Sequence, residues 1–175
     1  VSGYRGSDDL PNEVNELYRN EGGFQFRKIN GNLLLDIPAG QGATDTDYDH
    51  DGDIDVIVAN RTGPVNILNN NGKGDFTVIS PEAIGISHAA EDGITMSDID
   101  NDGDLDMLLT GDGYGHLYTN NGQGKFTYHQ EFSATDGYMG SFADLDNDGD
   151  LDLVFAGDSL IYENTGQGNF VGGFI

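Results

Sequence analysis

One string of residues occurs three times and carries most of the chain's chemical potential: Asp47-Tyr-Asp-His-Asp-Gly-Asp-Ile-Asp55, Asp98-Ile-Asp-Asn-Asp-Gly-Asp-Leu-Asp106 and Asp144-Leu-Asp-Asn-Asp-Gly-Asp-Leu-Asp152. In a tightly wound loop, side chains at positions 1, 3 and 5 converge on one point. Those residues are Asp47, Asp49 and Asp51, then Asp98, Asp100 and Asp102, then Asp144, Asp146 and Asp148. Position 6 is Gly52, Gly103 or Gly149, where a sharp turn favours a residue without a Cβ. Position 7 (Asp53, Asp104, Asp150) can offer its backbone carbonyl, and position 9 (Asp55, Asp106, Asp152) closes the shell. An all-oxygen donor set without His or Cys selects a hard cation, and a flexible multi-carboxylate loop favours Ca²⁺ over strictly octahedral Mg²⁺. Three Ca²⁺ sites are therefore expected.

Without an ion such a loop repels itself. Two carboxylates about 5 Å apart repel by roughly 3 kcal/mol at an effective dielectric of 20. Several such pairs oppose closure, so metal binding and local folding should be coupled. An EF-hand is excluded, because its loop requires Glu at position 12 and helical flanks. Position 12 here is Val58, Leu109 or Phe155, inside apolar runs, which also argues against a dockerin-type loop.

The elements that position these loops repeat with them. Successive strings begin 51 and 46 residues apart. Each runs into a short β-rich stretch: Val56-Ile-Val-Ala59, Met107-Leu-Leu-Thr110 or Leu153-Val-Phe-Ala156. A second string follows: Ile67-Leu-Asn-Asn-Asn-Gly-Lys-Gly-Asp-Phe76, Leu117-Tyr-Thr-Asn-Asn-Gly-Gln-Gly-Lys-Phe126 and Ile161-Tyr-Glu-Asn-Thr-Gly-Gln-Gly-Asn-Phe170, with a shortened copy at Leu17-Tyr-Arg-Asn-Glu-Gly-Gly-Phe24. An apolar strand, an Asn/Gly turn and a Phe opening the next strand make a hairpin.

Each unit thus reads as four strands: one entering the Asp loop (for example Gly93 to Ser97), one leaving it, one carrying the Leu-Tyr or Ile-Leu pair, and one starting at the Phe. Four antiparallel strands per repeat of about 45 residues fit a β-propeller blade. The expected fold is all-β, with three complete blades and one partial, as an open arc or part of a larger propeller. The units are a partial blade at 1–30 (strands two to four) and blades at 31–80, 81–131 and 132–175. Val1 to Ser7 aligns with the second-strand region near Leu153 to Ser159, as though the preceding loop lay outside the chain. Stacked blades bury one another's faces, so an open end needs more chain or another subunit to cover it.

Composition agrees with a folded acidic module. Against 31 Asp and Glu stand 7 Lys and Arg, a formal charge of −24 over 175 residues. That disfavours nucleic acid or an anionic membrane as a partner, since both require a positive field. Nine Phe and eight Tyr supply a core, and 27 Gly against 4 Pro indicate tight turns rather than extended linkers. There is no Cys, hence no disulfide, thiolate site or cysteine nucleophile. No 18-residue apolar span or signal-peptide pattern is present.

The alternation of Asp-x-Asp-x-Asp-Gly-x-x-Asp, an apolar strand and Leu-Tyr-x-Asn-x-Gly-x-Gly-x-Phe resembles the FG-GAP/VCBS repeat over about residues 10–175. Repeats of this type form the seven-bladed propeller of integrin α-subunits and occur in many bacterial extracellular proteins. The resemblance implies Ca²⁺ at the loop positions named above, all-β blades and an extracellular or cell-surface setting. Three full units depart from a seven-bladed ring in number.

Other residues carry weaker signals. His50, His88, His116 and His129 are dispersed and read as solvated. No nucleophile motif surrounds the serines, so no enzyme is expected. Tyr18, Tyr118 and Tyr162 share one repeat position and read as packing; Tyr4, Tyr114 and Tyr138 join them as aromatics able to stack on sugars. Asn60-Arg-Thr62 is the single Asn-x-Ser/Thr sequence and a candidate glycosylation site in a surface turn. The expected role is an extracellular calcium-binding module that recognises a protein or glycan, with calcium structural. The alternative is a subunit assembling head-to-tail into a filament or array through open blade ends.

Overall fold

The structure, a computed structural model, describes residues 16–29, 40–61, 63–89, 92–111, 113–133, 139–157 and 160–174. Three four-stranded antiparallel sheets follow one another along the chain, each in simple sequential order. The first blade holds β3 (Gly40–Thr46), β4 (Asp55–Asn60), β5 (Asn66–Asn70) and β6 (Phe76–Ile79). The second holds β7 (Gly93–Ser97), β8 (Asp106–Gly111), β9 (Tyr114–Asn120) and β10 (Phe126–Ser133). The third holds β11 (Met139–Ala143), β12 (Asp152–Ala156), β13 (Leu160–Asn164) and β14 (Phe170–Phe174). Ahead of them, β1 (Tyr18–Asn20) and β2 (Phe26–Lys28) form a two-stranded hairpin. Among the described residues these are propeller-type blades, three complete and one partial, and no sheet closes on itself. The Val1 to Ser7 alignment lies outside the described residues.

The blades meet along their first strands. Strand β7 contacts both β3 and β11, and the hydroxyl of Thr95 donates to the carbonyl of Gly140 at 2.7 Å. Because neighbours cover both faces of the middle sheet, its second strand is apolar throughout its centre rather than alternating, the pattern of a strand buried on two sides. Met107 and Leu109 enter the core shared with the first blade, alongside Ile57, Ile67, Val65 and Tyr118. Leu108 points the other way, into the core shared with the third blade, with Leu117, Phe132, Leu153 and Phe155. All of these are fully or almost fully buried. The 3₁₀ turn Pro81–Ile84 crosses from the first blade to the second. A Cβ on Gly85, at φ +95°, would lie 2.0 Å from the carbonyl oxygen of Phe126, so the connector presses on β10 only because that side chain is absent.

The Asn/Gly hairpins have positive φ at both glycines, Gly72 and Gly74, Gly122 and Gly124, Gly166 and Gly168. The N-terminal hairpin departs from its expected register. Asn20 pairs with Phe26 as Asn120 pairs with Phe126, so the turn is full-length rather than shortened. Phe26 is the strand-opening phenylalanine. Phe24 occupies the position of the second glycine, at φ 60° and 95 % exposed.

Candidate metal centres

Each Asp loop joins the first and second strands of a blade. Left-handed backbone occurs at position 6 (Gly52, Gly103, Gly149) and also at position 4 (His50, Asn101, Asn147). Asn is among the few side chains that visit this region readily, so position 4 was a turn signal that the glycine at position 6 overshadowed. The resulting coil turns backbone donors inward. The carboxylate of Asp47 accepts from the N–H groups of Asp51 and Gly52, and that of Asp98 from Asp102 and Gly103, all at 3.0–3.1 Å.

Carboxylate oxygens converge in all three loops, within 4.8 Å of one another in each: Asp47, Asp49 and Asp55; Asp98, Asp100 and Asp106; Asp144, Asp146 and Asp148. The first two clusters combine positions 1, 3 and 9, and the third combines positions 1, 3 and 5. Asp51 and Asp102, expected as side-chain donors, stand outside their clusters and cap the N–H of Asp53 and Asp104 at 2.9 Å. Position 7 turns its carboxylates away: Asp104 lies 3.2 Å from His50 Nδ1, and Asp150 accepts from Asn101 at 2.9 Å. Both contacts link adjacent loops. Asp53 packs under Gly72 of its own blade.

Position 9 is a latch as well as a candidate ligand. Asp106 accepts from the N–H of Ile99 at 3.0 Å and of Asn120 at 2.8 Å, tying loop, second strand and third strand together. Asp152 repeats this with Leu145 and Asn164, and Asp55 with Asn70. Without a cation, burial pushes the Asp106 carboxyl up to about 7 despite the Asn120 and Ile99 N–H groups, and pushes Asp55 up to about 6. Asp100 is also raised, by burial and then by Asp102. A divalent cation reverses that preference. Oδ1 of Asp49 is buried with no hydrogen-bond partner, and a cation would supply the missing partner. The donors are all oxygen, so the residues present fit Ca²⁺.

Position 2 makes a connection that the sequence pattern treated as a spacer. Tyr48 and Ile99 sit in strongly acidic loops yet are 4 % and 0 % exposed, each inside an inter-blade core. The next blade clasps them. Asn120 Nδ2 donates to the Tyr48 carbonyl at 2.9 Å, and Asn164 Nδ2 to the Ile99 carbonyl at 2.8 Å. Gly124 and Gly168 lie directly over the same two residues. Leu145, their counterpart in the third loop, is 47 % exposed.

Other candidate residues are placed differently from expectation. The histidines are not independent solvated groups. His88, in the connector, stacks on His116 of β9 with ring centroids 3.8 Å apart, among Tyr114, Tyr118 and Tyr128. The reason is non-local: β9 places Tyr114, His116 and Tyr118 on one face, and the connector folds over it. His50 reaches Asp104, and the Nε2 of His129 lies 2.9 Å from the Gly168 carbonyl. Tyr118 is buried and its hydroxyl accepts from the N–H groups of Ser87 and His88, while the Tyr162 hydroxyl donates to the Ser133 carbonyl. Tyr18 is 42 % exposed. The surface position expected for Asn60 is corrected: it is 3 % exposed and its Nδ2, the atom a glycan would modify, donates to the Pro64 carbonyl at 2.6 Å and to the Asn66 side chain. Tyr4, Tyr138 and Thr62 lie outside the described residues.

No helix among the described residues is long and apolar enough to cross a membrane. No curated protein matches the chain. The FG-GAP-like repeat matches it twice, at residues 47–109 and 98–155. Each match begins at position 1 of one Asp loop and ends in the strand leaving the next, so the matched unit is the loop-to-loop junction just described. With more than half of its length covered by these two matches, the chain belongs to the FG-GAP-like repeat family.

Proposed function

We propose that this chain is a non-enzymatic, calcium-binding FG-GAP/VCBS module that acts outside the cell in recognising a protein or a glycan. Three Ca²⁺ ions serve as structural crosslinks within its blades. The observation that carries the calcium assignment is the convergence of carboxylates at equivalent places in three loops, two of which the following blade clasps. The ions would neutralise six units of a formal charge of −24. Millimolar extracellular calcium suits loops of this kind. Recognition is assigned to the loop surfaces, the usual place of function on a rigid β scaffold.

Calorimetric titration of chelator-stripped protein tests the metal assignment, with three equivalents of Ca²⁺ expected and saturation without heat counting against it. A glycan array and a panel of extracellular matrix proteins, screened in calcium and in chelator, test the recognition role. Calcium-dependent retention of one class is the expected result.

A further inference from the structure

We propose that the third Asp loop is a docking face for the N-terminal hairpin of a second copy of this chain, joining copies end to end. The internal junctions supply the template. At each, an apolar residue at loop position 2 is covered by the Asn–Gly turn of the following blade, whose Asn donates to that residue's carbonyl. Leu145 has the same place in its loop, and its side chain is 47 % exposed against 4 % for Tyr48 and 0 % for Ile99.

The β1–β2 hairpin has the complementary parts in the same register. Asn20 stands where Asn120 and Asn164 stand, and its Oδ1 accepts from Gly22 N–H at 2.9 Å as Asn164 accepts from Gly166 at 3.1 Å. Tyr18 and Phe26 are 42 % and 59 % exposed, whereas their equivalents Tyr118 and Phe126 are 0 % and 4 % exposed. Phe24 selects among loops. At a tyrosine junction a Cβ in its place would meet Asp49 Cβ at 2.7 Å and Tyr48 Cε2 at 2.9 Å. At the aliphatic junction its nearest neighbour would be the tip of Ile99, at 3.0 Å, with Asp100 Cβ farther off at 3.8 Å. An aliphatic residue such as Leu145 therefore suits this hairpin, and the Phe24 ring adds apolar contact. The hairpin's cations are already engaged, Arg27 with Glu21, Lys28 with Glu16 and Arg19 with the Lys73 carbonyl, so the match rests on register and apolar shape. The contact is heterologous, so copies add head to tail, closing into a ring where the rotation permits and otherwise extending as a filament. It stands apart from glycan or protein recognition and requires neither.

Sedimentation velocity on the calcium-saturated chain tests it. The wild type is expected to grow into oligomers as its concentration rises. Asn20→Asp and Leu145→Ser should each be monomeric alone, yet form a 1:1 dimer when mixed, because each retains one intact end. A wild type that stays monomeric overturns the proposal and leaves Leu145 to a further repeat or another protein. Variants that assemble like the wild type, or a mixture that does not dimerise, overturn it too. Calcium stoichiometry, measured on each variant, separates this result from failure of the metal sites. The chain has no cysteine, so Phe24→Cys mixed with Leu145→Cys gives an independent reading. A calcium-dependent disulfide between the two is expected, and its absence under oxidising conditions, with both variants folded, counts against the contact.

Discussion

The side-chain amide of Asn164 donates to the carbonyl of Ile99 across 65 positions of sequence, at 2.8 Å. Its Oδ1 holds the Gly166 N–H and its own backbone N–H binds Asp152, so one buried residue joins a hairpin turn, its own blade's loop and the preceding blade's loop. Asn164→Ala should destabilise the folded chain by about 1–3 kcal/mol, the cost of leaving buried groups unpaired. Urea unfolding at saturating calcium measures this. Asn121→Ala, in an exposed turn position of the second blade, provides a control expected to be much milder.

Asp100 and Asp104 lie four residues apart in one loop, yet only the first joins the carboxylate cluster. Asp100→Ala should reduce calorimetric stoichiometry from three ions to two and lower the melting temperature in calcium. Asp104→Ala should keep all three ions, since its carboxylate faces His50 rather than the cluster. Equal losses of calcium from both variants would contradict this division.

Calcium binding should be tied to protons. In the cation-free protein burial raises Asp106 to about 7 and Asp55 to about 6, so both carboxyls are partly protonated near neutrality. A cation must displace those protons. Affinity should therefore weaken as pH falls from 7.5 towards 5. Titrations in buffers of different ionisation heat should show proton release near pH 6–7. The sign for the stripped protein is the opposite. Folded-state values raised above the ordinary 3.8 favour the fold at low pH, and that contribution is lost as pH rises from about 4 to 7.

The buried imidazole of His116 responds in the other direction. Burial, and then His88, holds His116 below its ordinary 6.5, with Glu131 opposing weakly. A depressed histidine favours the fold while neutral, and its contribution is lost as pH falls below about 6.5, where the unfolded chain takes up the proton first. At saturating calcium, His116→Gln should show a shallower drop in melting temperature between pH 7 and pH 5 than the wild type.

Much of the fold was legible because its signals are local. Gly52, Gly103 and Gly149 mark turns, the strands after them are short and apolar, and Phe76, Phe126 and Phe170 each open a fourth strand. Convergence of positions 1 and 3 followed from spacing alone. The hidden features depend on distant contacts. Asn70, Asn120 and Asn164 read as turn formers, but their amides serve as donors to loop carbonyls, and for Asn120 and Asn164 the acceptors include the preceding blade. An apolar side chain at position 2 of an acidic loop was the available clue to that joint. Asn60 reads as a surface residue because it falls at the turn after a blade's second strand, whereas its amide folds back onto the Pro64 carbonyl. The pairing of His88 with His116 requires the connector to lie over β9, which no local pattern encodes.

Strand β8 shows how a single ribbon can serve two partners. Its successive side chains Met107, Leu108 and Leu109 point to opposite sides, so each flank of the middle blade has its own apolar filling. Trimming Leu108 would loosen one joint and trimming Leu109 the other, leaving the remaining contact surface intact. The module can therefore flex or come apart at a chosen seam, and its mechanical weak point can be moved by one residue.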